Sequence, residues 1–190
     1  MNRRNALKGL LLLSGSGAVI MSGFNGYRWF TRPSLRRLPE YKPLIAELAE
    51  TIIPRTETPG AKDAGVEDFI ITMIQDCTPY RVQGRFMEGL EDVEAYTRSQ
   101  YGLTFSECSK EQRHNVLTYF EKRDRPFPGI AGKAVRKLFG DNFFMTLKKY
   151  TVQGYCTSLE GATKGLAYDY VPGRYQGCVT LAPGQKCWAT

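Results

Sequence analysis

Apolar residues return at helical spacing through most of the middle of the chain. Leu44, Ile45, Leu48, Ala49, Ile52 and Ile53 form one face of a helix that Pro54 stops. Val66, Phe69, Ile70, Met73, Ile74 and Cys77 follow the i, i+3, i+4, i+7 rule and predict a second helix over 66–77, buried on one side. Asp63 is its candidate cap. A third helix is expected from about Tyr80 to Ser99, with Val82, Phe86, Leu90, Val93 and Thr97 on its inner line and the acids Glu91, Asp92 and Glu94 outward. "SKEQ" at 109–112 has the form of a capping box and opens a fourth helix carrying Val116, Leu117 and Phe120. "RDRPFPG" breaks the pattern, a further helical region runs through Phe139, and Asp141 is placed to cap "NFFMTLKKYTVQ", which Gly154 would end. No stretch alternates apolar and polar residues for long enough to predict a strand. The expected fold is all-α: a small bundle of about five or six helices over residues 41–156.

From Thr157 the periodicity stops, and residues 157–190 form a long irregular C-terminal tail of Gly, Pro, Tyr and Lys. Structureless segments of that length are uncommon in compact domains, so a tail this aromatic lies along its own body or along a partner. Its densest stretch is "YDYVPGRYQGC", residues 168–178. A sugar or anion pocket would use tyrosine and arginine, but nothing periodic here holds them as a rigid constellation. The same residue types supply large contact area and directional hydrogen bonds at protein interfaces.

The N-terminal end has a different character. In "NRRNALKG", Arg3 and Arg4 precede an uncharged run from Gly9 to Tyr27 diluted by Gly and Ser. Residues 1–27 therefore look like a twin-arginine export signal or anchor, followed by a linker over 28–40. The run is weaker than a membrane span of about 20 mostly apolar residues. It shows no A-x-A cleavage site, so the segment can stay attached, and no cysteine that would make it a lipoprotein anchor. The leader and linker together explain the net charge of +7. Arg3, Arg4, Lys8, Arg28, Arg32, Arg36 and Arg37 come before the first acid, Glu40, and the remaining 19 cations equal the 19 acids in number. A nucleic-acid surface needs its excess charge on the folded body, so no nucleic-acid partner is expected.

Catalytic chemistry is sparse. His114 is the single histidine, and a histidine metal site needs further ligands at defined spacing. "GAKDAG" at 60–65 lacks the G-K-[ST] of a phosphate loop, no G-x-G-x-x-G follows a strand, and C-x-x-C-H is absent. These absences predict no cofactor and no metal in this chain. Cys77, Cys108, Cys156, Cys178 and Cys187 carry no flanking catalytic motif, although a Cys-His nucleophile pair stays formally open. In an oxidising compartment Cys178 and Cys187, which close a short Pro-Gly loop, are the preferred disulfide, worth about 2–3 kcal/mol by loop entropy. Cys77 and Cys156 sit in or beside core patterns and are expected as buried thiols. Glu47, Glu50, Glu67 and Glu91 read as solvated helix faces.

Three stretches, "NRRNALKGLLLL", "ETIIPRTETPGAKDAGVEDFI" and "LKKYTVQGYCTSLEGATKGLAYDYVPGRYQGCVTLAPGQKCWA", together resemble the gluconate 2-dehydrogenase subunit 3 family. These are the small subunits of exported flavin-dependent sugar and aldonate dehydrogenases. The resemblance implies a non-catalytic subunit that assists assembly, stability and twin-arginine co-export. Its partners would be a large flavoprotein of the glucose-methanol-choline class, which holds FAD and oxidises the sugar or gluconate, a multihaem cytochrome c carrying haem c, and the twin-arginine translocase. The compartment would be the periplasm, with attachment to the inner membrane where the N-terminus is retained. On this reading Arg3 and Arg4 serve export of both chains, and Tyr155, Tyr168, Tyr170, Arg174, Tyr175 and Trp188 are the candidate partner interface. A membrane-anchoring adaptor of the same complex and an independent small thiol enzyme are the alternatives.

Overall fold

The computed structural model describes residues 34–125, 129, 140–170, 173, 174, 178, 180 and 183–188, all within one unit, Ser34–Thr190. Arg3 and Arg4, Tyr175, and most of the helical region expected up to Phe139 lie outside the described residues. Five α-helices are described: α1 (Lys42–Ile52), α2 (Val66–Asp76), α3 (Tyr80–Tyr101), α4 (Lys110–Arg123) and α5 (Phe143–Thr157). Two 3-10 segments, Leu35–Tyr41 and Phe105–Glu107, and one π turn, Gly161–Gly165, complete them. The described residues form no named strand, only a single parallel bridge between Ala167 and Trp188. The fold is all-α, as the periodicity predicts.

Helix α5 touches each of the other four helices, which is why its buried positions, among them Phe143, Phe144, Leu147, Tyr150, Thr151 and Gly154, are not confined to one narrow stripe. Phe143 meets Phe86 of α3 at 5.4 Å and Phe120 of α4 at 6.0 Å between ring centres. Gly89 makes room for that ring, since a Cβ there would lie 2.1 Å from Phe143 Cγ. The inner line read for α3 is buried throughout. The α4 capping box is present as well: Gln112 Oε1 accepts the Ser109 N–H at 2.8 Å and Ser109 Oγ accepts the Gln112 N–H at 3.3 Å. At the C-terminal end of α2, the Thr78 hydroxyl donates to the Met73 carbonyl at 2.7 Å and Gln83 Nε2 donates to the Ile74 carbonyl at 2.8 Å, satisfying groups that a helix end leaves open.

Several local expectations change. The helical body begins at Leu35, inside the stretch read as linker, because Leu38 is completely buried against the core. Gly154 does not end α5, which continues to Thr157. The glycine instead permits close helix approach, since a Cβ there would meet Phe69 Cδ1 of α2 at 2.8 Å. The first turn of α5 is capped from a distance: Asp124, just past α4, accepts the Phe144 N–H at 2.9 Å. Cys77 is exposed and Cys108 is the buried cysteine, because α2 stops at Asp76 and leaves Cys77 beyond its last turn.

Candidate functional site

Between α1 and α2 the chain makes a loop, residues 53–65, with no regular structure of its own. It is nevertheless tightly held. Glu50, in the last turn of α1, accepts the Arg55 N–H through Oε1 at 2.8 Å and the Lys62 N–H through Oε2 at 3.0 Å. Asp63 accepts the Gly60 N–H at 3.0 Å and faces Arg55 Nη1 at 3.5 Å. The Ala61 N–H closes on the Ile53 carbonyl at 2.9 Å. Gly60 is required by this closeness, because a Cβ would sit 2.5 Å from both Glu50 carboxylate oxygens. Asp63 therefore organises the loop and does not cap α2, which starts after Gly65 in the left-handed region at φ 62°.

Tyr155 joins this loop to the C-terminal part of the chain. Its hydroxyl donates to the Pro59 carbonyl at 2.8 Å. The π turn wraps over the same side chain: a Cβ on Gly165 would lie 2.3 Å from the Tyr155 hydroxyl, and one on Gly161 would lie 1.9 Å from the Tyr155 carbonyl oxygen. Within the turn, Lys164 Nζ and Glu160 pair at 2.5 Å. A polar cleft of about 540 Å³ separates Arg55–Pro59 and Asp63 on one wall from Glu160 and Lys164 on the other. Beyond the turn the tail returns: Lys186 Nζ donates to the Lys164 carbonyl at 2.6 Å, and the Ala167 N–H donates to the Cys187 carbonyl at 2.8 Å beside the Ala167–Trp188 bridge. Loop, π turn and tail thus form one continuous face.

These three contacts are main-chain or lysine contacts, and the tail's rings stand out. Tyr168 is 53% exposed, Tyr170 85% and Trp188 58%, with Leu159 nearby in sequence at 76%. The bridge brings Tyr168 and Trp188 to neighbouring positions. Arg174 is exposed. Tyr155 differs: at 7% exposure it is buried in its own chain, and its hydroxyl is already engaged, so it builds the face without offering a contact surface. Cys178 and Cys187, read as a disulfide pair, are both exposed with free thiols.

Glu47 and Glu50, expected on solvated helix faces, and Asp63, expected as a helix cap, have other roles here. Glu50 works inside the protein, as does Glu47, whose half-buried carboxylate pairs with Arg113 of α4 and with Lys62 at 2.5 Å. Their outward-looking spacing on α1 hid these roles. The available sequence cue was the Pro59-Gly60 turn within a run of acids, Thr and Lys, which marks a tight, side-chain-supported loop.

Most polar groups of this face are engaged within the chain. Glu50, Asp63 and Glu160 are committed to backbone N–H groups or to cations within the chain. Elsewhere, burial pushes the Cys108 thiol pKa up, against the partial opposition of Arg113, and so disfavours the thiolate that a nucleophile needs. His114 is exposed on α4. Among the described residues no cluster of three or more His, Cys, Asp and Glu is placed to hold a metal, and no helix is long and apolar enough to cross a membrane.

A family model described as gluconate 2-dehydrogenase subunit 3 matches residues 39–173, which include all five described α-helices, the loop and the first part of the tail. Comparison with curated proteins and with solved structures finds no match to this chain.

Proposed function

The chain belongs to the gluconate 2-dehydrogenase subunit 3 family, and from that premise we propose that it is the non-catalytic small subunit of an exported flavin-dependent sugar or gluconate dehydrogenase. Its work is to bind, stabilise and escort the catalytic flavoprotein, which holds the FAD. A multihaem cytochrome c subunit would complete the electron path, and the complex would act in the periplasm at the inner membrane. The observation that carries the binding role is the exposed aromatic set Tyr168, Tyr170 and Trp188, on a tail tied by main-chain bonds at Ala167, Cys187 and Trp188 with the rings left to solvent. Large aromatics that are positioned but unburied are the residue types that anchor protein interfaces.

The escort role is supported by the twin arginines of the leader, in a chain whose cations and acids balance from Glu40 onward. A flavoprotein without its own leader would then depend on Arg3 and Arg4 for passage, because the twin-arginine route carries folded proteins. Replacing both with lysine should leave flavin-dependent dehydrogenase activity in the cytoplasmic fraction. Full periplasmic activity in the double variant would defeat this reading.

A further inference from the structure

The loop between α1 and α2 is fixed more firmly than its surface position demands. Loops of this size are cheap to leave loose, and ordering them costs about 1–2 kcal/mol per residue in backbone entropy. Here the Glu50 carboxylate of α1 and the Asp63 carboxylate of the loop itself accept the Arg55, Lys62 and Gly60 N–H groups, and the Tyr155 hydroxyl of α5 donates to the Pro59 carbonyl. What this scaffold holds outward is a short charged tip. The Arg55 side chain is 74% exposed, Thr56 and Glu57 are exposed, and Glu57 has no ion-pair or hydrogen-bond partner among the described residues. A tip whose backbone is already ordered binds without the entropy cost that a mobile loop would add on docking.

The tip also lies on the face that carries the tail. Tyr155 touches both the loop and the π turn, and the π turn holds the tail through the Lys164 carbonyl. A partner seated on Tyr168 and Trp188 therefore has the charged loop on the same continuous surface. The aromatic part supplies contact area with little directional information, whereas Arg55 and Glu57 present opposite charges in a fixed order, which sets orientation and partner choice.

Resting on the small-subunit reading above, we propose that the Arg55–Glu57 tip is a second docking element for the same large subunit. The partner chemistry it fits is a folded protein surface offering an anionic group to Arg55 and a cationic group to Glu57, beside an apolar patch that takes the tail rings. The tip acts as the orienting part of the interface and the tail as its adhesive part.

The test uses the full-length chain co-expressed with the large flavoprotein subunit of its own dehydrogenase, and measures complex affinity and the melting temperature of the free small subunit. Glu57→Lys, at a side chain without a partner among the described residues, and the double reversal Arg55→Glu with Glu57→Lys should weaken the complex by about 10-fold or more at low salt. The loss should shrink as salt is raised to about 1 M, where exposed charges are screened. The melting temperature of the Glu57→Lys chain should stay at the wild-type value. Wild-type affinity for both charge variants, alongside weakened assembly of a Tyr168→Ala, Tyr170→Ala, Trp188→Ala chain, would overturn the loop as a docking element and leave the tail in that role. A salt-independent loss accompanied by a lowered melting temperature would also overturn it, as the loop would then serve only the fold. Failure of the wild-type chain to retain the flavoprotein at all would overturn the small-subunit reading and this inference with it.

Discussion

Two sets of aromatic side chains divide the molecule. Phe86 and Phe120 have no exposed surface and Phe143 only 3%, and their rings meet at 5.4 and 6.0 Å in tilted and edge-on contacts. Tyr168, Tyr170 and Trp188 are each more than half exposed. The first set is placed by the helices it joins, and burying it is part of what makes α3, α4 and α5 one body. The second set follows a backbone secured by a bridge, an amide bond to the Cys187 carbonyl and a lysine, so its position does not depend on burying the rings. Exposed apolar surface remains unfavourable by roughly 25 cal/mol per Å², and that is free energy still available to a partner.

The contrast has a direct test with the largest expected effect. Phe120→Ala should lower the unfolding free energy of the small subunit by about 3–5 kcal/mol, the usual cost of deleting a buried phenyl ring. Replacing Tyr168, Tyr170 and Trp188 together with alanine should change the same quantity by no more than about 0.5 kcal/mol per site, as surface substitutions do. Urea denaturation of the three proteins compares them on one scale. A triple variant as destabilised as Phe120→Ala would erase the distinction and return the tail to the chain's own core.

A smaller effect separates two kinds of buried threonine. Thr97 and Thr151 have no exposed surface. The Thr97 hydroxyl donates to the Val93 carbonyl at 2.7 Å, whereas Thr151 Oγ1 is buried with no hydrogen-bond partner among the described residues. Leaving a polar group unpaired in the core costs about 1–3 kcal/mol, while a made hydrogen bond contributes about 1 kcal/mol. Thr151→Val should therefore raise the melting temperature and Thr97→Val should lower it. The same sign for both would mean that the Thr151 hydroxyl is satisfied in solution.

The helical body was legible because its cause is local. A 3.6-residue apolar period requires a helix with one buried face, and Val82, Phe86, Leu90, Val93 and Thr97 are buried as that period demands. The Ser109–Gln112 capping box is equally local and was equally readable. What escaped were contacts between residues far apart in sequence. Asp124 caps a helix that starts 19 residues later at Phe143, and its carboxylate meets the Phe144 N–H because α4 and α5 pack together. Glu47 and Glu50 sit one turn apart on α1 with the same side chain, yet one ties Arg113 and Lys62 into the body while the other shapes the loop at the docking face. Nothing in the α1 pattern distinguishes them, since the difference comes from what arrives opposite. Tyr155 was readable as a notable tyrosine but not as a buried one, because its environment is made by Pro59 of the loop and by Gly161 and Gly165 of the π turn.

The smallest expected effect concerns a local feature of the body and depends on pH. Glu107 ends the 3-10 turn before α4, and its Oε2 accepts both the Thr104 N–H at 2.9 Å and the Thr104 hydroxyl at 2.7 Å. The backbone bond first and then the hydroxyl bond hold the Glu107 pKa below the ordinary carboxylate value, against an opposing effect of desolvation and with a lesser contribution from the positive charge of Arg98. A carboxyl with a lowered folded-state pKa stabilises the fold at pH above the ordinary carboxylate range, and that contribution is lost as pH falls through the lowered value. Glu107→Gln keeps a capping side chain but removes the charge. Its melting temperature should lie slightly below wild type near about pH 7, and the two curves should converge as the solution is taken towards about pH 2. A difference that stays constant across this window would show that the turn is held by the geometry of the acceptor alone, with no contribution from its charge.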